Sequence, residues 1–140
     1  YVGNRRGQPA SEAIDRDGQV KSYTGAARSE TRLVEYVEQT GHNIPQVFWQ
    51  YLTASGVVYE NGRYRSGTLF DWVFTMGYPI AEPYWVRVRV GGAEHDVLVQ
   101  PFERRVLTYM PDAPSGWAVQ MGNVGRHYYQ WRYGAELPAP

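Results

Sequence analysis

Cysteine is absent from the 140 residues, so no disulfide framework can form and no thiolate is available as nucleophile or metal ligand. Neither sign of charge is in surplus: 14 basic residues meet 14 acidic ones, and the balance holds on either side of residue 40. Without a basic stripe the chain lacks the electrostatic footprint for tracking phosphates, which argues against a nucleic-acid partner. A polybasic segment for anionic membrane surfaces is missing too. No apolar run approaches the ~20 residues that span a bilayer, so no membrane insertion is expected. Lysine is nearly missing, Lys21 being the single one, and arginine supplies the other cations. A guanidinium stacks on rings and grips carboxylates bidentately, which an ammonium does not.

Reactive constellations are equally thin. No serine occupies a G-x-S-x-G elbow, and the three histidines are scattered without metal-ligand spacing. The pair Asp15 and Asp17 suggests a calcium loop, but the position that needs a bidentate Glu is Ala26. Glu94-His95-Asp96 is dense, yet on a strand His95 points away from its two neighbours. Gly122-Asn123-Val124-Gly125 lacks the Lys of a phosphate loop. No catalytic residue, metal or cofactor is nominated.

Aromatic residues are what the chain has in quantity: 5 Trp, 12 Tyr and 4 Phe. Their setting is an α+β pattern, an antiparallel sheet of hairpins with one main helix packed on it and an extended N-terminal arm. Residues 1–40 read as that arm, with an Asp17-Gly18 turn and a stretch at 31–40 that fits either a helical turn or a strand. Residues 41–134 read as a single module and 135–140 as a linker-like tail. Asn43 is expected to cap a helix with Pro45 in its first turn, Ile44, Val47, Phe48, Tyr51 and Leu52 forming the apolar stripe and Gly56 the stop. Trp49 falls off that stripe. Asn61-Gly62 between Val57–Glu60 and Arg63-Tyr64 is a strong hairpin signal. Strands follow over 86–90, 96–100, 104–110 and 117–121, then an aromatic run at 127–133. Phe48, Leu52, Val88, Val97, Val99 and Phe102 are the expected core.

GHNIPQVFWQYL, GVVYENGRY, GYPIAEPYW, VLVQPFERRVLTY and GNVGRHYYQWRYG together resemble a module of bacterial exported and envelope proteins. The turn Met76-Gly77-Tyr78-Pro79-Ile80-Ala81-Glu82 is similar, more distantly, to the LGFP repeat of cell-wall-associated proteins. The resemblance spans roughly residues 41–134. It implies export, a noncatalytic role and attachment to a cell-wall or surface polymer. It departs from the repeat in having one Gly-Tyr-Pro unit where LGFP repeats come in arrays. A chain that opens on Tyr1 rather than an initiator methionine adds to the expectation of a processed, extracellular or cell-surface protein.

The expected function is therefore glycan binding through exposed rings, with Trp131, Trp85, Tyr129, Tyr84, Tyr133 and Trp49 as platform candidates. Arg126, Arg132 and Glu82 are candidates for hydrogen bonds to hydroxyls, and Glu82 and Glu103 for accepting backbone N–H groups after their turns. The partner is a surface polysaccharide or another copy of the protein. Two alternatives stand beside this: a structural subunit that self-assembles through its N-terminal arm, and a small carboxylate-dependent hydrolase, which needs two carboxylates facing one cleft.

Overall fold

The computed structural model describes residues 2–23, 28–114 and 118–122. Its elements are strands β1 (Glu12–Ile14), β2 (Val20–Ser22), β3 (Leu33–Val37) and β4 (His42–Pro45), then helix α1 (Gln46–Leu52). Strands β5 (Ser55–Glu60) and β6 (Arg63–Thr68) precede a second helix, α2 (Trp72–Met76). Strands β7 (Tyr84–Val90), β8 (Ala93–Pro101), β9 (Val106–Tyr109) and β10 (Val119–Gly122) complete the described chain. The class is α+β, rich in mostly antiparallel strands, with no helix among the described residues long and apolar enough to cross a membrane.

Six strands form the main sheet in the order β10-β9-β8-β7-β1-β2. The β7–β8 hairpin turns on Gly91 and Gly92, both at positive φ. At the other side of the sheet β1 meets β7 in parallel at Ala13 and Trp85, and β2 folds back on β1. Asp15 closes that small hairpin, its Oδ1 accepting the N–H groups of Asp17 at 3.1 Å and Gln19 at 2.9 Å. The described part of residues 1–40 is thus woven into the rest. Gly7 donates to the Leu33 carbonyl at 2.8 Å and Leu33 to that of Gln8 at 2.9 Å, while Val2 donates to Gly41 at 3.1 Å.

The stretch at 31–40 resolves as strand β3, paired with β4 across a bulge between Leu33 and Glu35. This displaces the expected helix start. Asn43 lies inside β4 and Pro45 is the N-cap of α1, because the Asn43 groups that would cap a helix are engaged by Arg5, Gly3 and Glu82. The helix ends at Thr53 rather than Gly56, which belongs to β5.

Phe48 and Leu52 are buried from α1 against Leu98, Phe102, Leu107 and Tyr109 of the sheet, and Ile44, Leu33, Met76 and Trp85 close the cluster. The expected core is corrected in one respect. Strand pleating puts Leu98 and Gln100 on the helix side with Phe102 continuing them, and Val97 and Val99 on the reverse. Val97 is buried there, while Val88 and Val99 are half-buried. The parity was set by Trp85, which faces the helix and pairs with Leu98.

Candidate functional site

Trp85, nominated as a platform, is only 1% exposed. Its Nε1 donates to the Ala10 carbonyl at 2.8 Å and its ring meets Tyr23 edge-on at 6.5 Å. The N-terminal segment therefore covers it, and it is a core residue with a satisfied polar tip. Tyr84, its neighbour, is half-buried on the opposite face of β7. Burial raises its phenol pKa, and the negative charges of Glu12 and Glu82 add to that. Trp131, Tyr129, Tyr133, Arg126 and Arg132 lie outside the described residues.

Glu82 is 2% exposed and is corrected as a ligand contact. One of its oxygens accepts the Asn43 backbone N–H at 2.8 Å, and the Asn43 side-chain amide sits 3.3 Å from both. Arg5 approaches at 3.7 Å and His42 Nδ1 at 3.4 Å. Asn43 in turn accepts the Arg5 N–H at 2.9 Å and donates to the Gly3 carbonyl at 2.9 Å. Gln100, fully buried below, donates to the carbonyls of Asn43 at 2.8 Å and Ala81 at 3.1 Å. Arg5 also holds Glu12 at 2.9 Å, so one guanidinium is shared between two carboxylates. With its lone pairs spent on Asn43, Glu82 fastens the N-terminal segment to β4 and the Gly77–Glu82 turn. Glu103 plays the lesser counterpart, accepting the Tyr78 N–H at 3.1 Å.

Among the described residues Trp49 and Tyr84 are the nominated rings left partly open to solvent, and Trp49 is the one that stands among other rings. It is half-buried on α1 and meets Trp72 edge-on at 5.8 Å. Trp72 meets Tyr78 edge-on at 6.1 Å, so three rings form one group. Trp72 is placed there by a short capped turn: Asp71 Oδ1 accepts the Phe74 N–H at 3.1 Å, and Gly77 ends the helix at φ 75°. Any Cβ at Gly77 would run into the Glu103 side chain, so the bend that swings Tyr78 back toward Trp72 requires glycine. An open, shallow cavity of about 420 Å³ lies alongside, lined by Thr68, Phe70, Asp71 and Trp72. Within the same stretch of chain Phe74 is 81% exposed, and Leu69 and Ile80 are both more than half exposed.

None of Thr68, Phe70, Asp71 or Trp72 was nominated from the sequence. A signal was present in Asp71 just before an apolar turn of helix and Gly77 just after it, the polar start and glycine stop of a short helix. Among the described residues no group of three or more His, Asp or Glu is gathered to hold a metal ion. No family model matches the chain, and neither a curated protein nor a solved structure matches it.

Proposed function

We propose that this chain is a noncatalytic binding module, exported to the cell surface, that attaches to a surface or cell-wall glycan through the Trp49–Trp72–Tyr78 group and the cavity beside it. The observation that carries the reading is the juxtaposition at that cavity of an aromatic wall (Phe70, Trp72) with a hydroxyl and a carboxylate (Thr68, Asp71). A sugar offers apolar C–H faces and hydroxyl edges, and a site of this make-up meets both. Edge-on contacts from Trp49 and Tyr78 hold the Trp72 ring before a ligand arrives, which lowers the entropic cost of binding. The neutral net charge suits a neutral polymer, and the resemblance to cell-wall modules supports the same destination.

Retention on insoluble cell-wall and plant polysaccharides tests this. Trp72→Ala is expected to weaken retention by ~1–3 kcal/mol, by analogy with base stacking on aromatic side chains, with little dependence on salt. Trp131→Ala and Tyr129→Ala form the parallel arm of the assay. No retention of the unsubstituted protein on any polymer removes the glycan reading. Hydrolysis of a retained polymer would instead move the protein to the carboxylate-dependent hydrolases.

A further inference from the structure

The β5–β6 hairpin forms a sheet of its own, joined to no third strand among the described residues. Pleating sorts its side chains cleanly. Gly56, Val58 and Glu60 share one face with Arg63, Arg65 and Gly67, given the pairs Val58 with Arg65 and Glu60 with Arg63. Every charge of the ribbon is on that side, where Arg65 Nε also bonds Glu60 at 2.7 Å. The other face is Ser55, Val57 and Tyr59 opposite Thr68, Ser66 and Tyr64, with no charge at all. Its three large side chains stand in solvent: Val57 is 71% exposed, Tyr59 66% and Tyr64 78%. A charge-free patch of this extent is of the size that often marks an interaction surface.

We propose that this charge-free face is an interface between two copies of the chain, the two hairpins packing face to face about a two-fold axis. A two-fold contact needs a patch that complements itself. An uncharged face does so, because it brings no like charges together, whereas the reverse face, with Arg63 and Arg65 to the one Glu60, would oppose net positive charge. The two tyrosine rings, 5.0 Å apart, are inclined at 55° and make no flat platform for a polysaccharide. They interdigitate instead with a surface that has ridges of its own. The tyrosine pair lies toward the turn, Val57 opposite Ser66 comes next, and Ser55 with Thr68 lies toward the open end, so the face joins an apolar part to a polar one as protein contacts do. Two tyrosines and a valine at this exposure offer roughly 400 Å² on each copy. The pair falls below the ~1,600 Å² of a standard interface. The dimer is therefore weak and concentration-dependent. It would set two glycan sites on one particle, converting weak binding to a polymer into avidity.

Sedimentation of the full chain from micromolar to millimolar concentration tests the proposal. The expected result is a reversible monomer–dimer equilibrium that Tyr64→Lys and Val57→Lys each abolish, with the thermal midpoint barely moved because both positions are exposed. Because the chain has no cysteine, Ser66→Cys carries the sole spin label. Ser66→Cys is expected to show a short distance between copies, and Arg65→Cys on the reverse face a longer one. A monomer at every concentration overturns the proposal. So does a dimer that tolerates both lysine substitutions. Loss of polysaccharide retention in Tyr64→Lys without any self-association would give the face to glycan instead. Thr68 belongs both to this face and to the cavity lining, so the Trp72→Ala retention assay is read at concentrations where the chain is monomeric, which keeps the two results separate.

Discussion

At Tyr109 a largely buried phenol donates to Glu30 at 2.9 Å, and burial, with the Glu30 carboxylate second, lifts its pKa from 10.0 to about 12. A folded-state value above the unfolded one favours the protonated phenol. Its contribution is therefore complete below pH 10 and lost as pH rises toward about 12. The loss is roughly 2 kcal/mol. Tyr109→Phe is expected to cost about 1 kcal/mol at neutral pH and to flatten that alkaline decline, as read by urea unfolding along the pH series. Glu30 shifts the other way: its own backbone N–H lowers its pKa most, burial comes second and opposes it, and the Tyr109 and Ser29 hydroxyls add to the lowering. Its share is present at neutral pH and fades as the solution is acidified. Glu82 is the costlier residue to lose. Glu82→Ala leaves the Asn43 backbone and side-chain N–H groups without their buried acceptor and Arg5 with Glu12 alone, and about 1–3 kcal/mol is expected from denaturant titration. Glu82→Gln, which keeps an acceptor, is expected to lose less.

The helix and the turn after it test the packing between elements. Phe48→Ala empties the contact between α1 and the sheet and is expected to lower stability by ~3–5 kcal/mol. A loss under ~1 kcal/mol, typical of surface changes, would mean that α1 does not carry this core. Gly77→Ala combines a positive φ with a Cβ driven into Glu103, so a clear fall in thermal midpoint is expected together with weakened polysaccharide retention. The β5–β6 hairpin was legible from Asn61-Gly62, whose φ values of 51° and 75° meet the demand of a two-residue turn. Its turn chemistry is local, and so it survives in any tertiary context. The start of α1 was not legible, because Asn43 is an equally good cap and buried amide. The choice was made by Glu82, far along the chain.

Over the whole molecule the N-terminal segment is the decisive piece. Ala10 satisfies the indole of Trp85, Arg5 and Gly3 engage Asn43, and β1 extends the main sheet beside β7. Deleting residues 1–30 is expected to expose Trp85, strand Glu82 among fewer donors and collapse cooperative unfolding, visible as a red-shifted tryptophan emission. A stable, cooperatively folding remainder would show that the segment only decorates the core.

Local chemistry was enough to determine the absence of thiol chemistry, the charge neutrality, the strand-rich α+β class, the two glycine turns at 61–62 and 91–92, and the apolar stripe of α1 from Val47 to Leu52, though not the strand that takes Ile44. Each follows from composition or from neighbours a few residues apart, where turn geometry and periodicity act. Tertiary structure alone decided which face of β8 meets the helix, since Val97-Leu98-Val99 is apolar on both parities and only the pairing of Leu98 with Trp85 separates them. It decided, too, that Trp85 is covered while Trp49 and Trp72 meet half-buried at the edge of the core. Aromatic rings are equally at home in a core and at a binding surface, so the outcome rests on which distant segment arrives to cover each one.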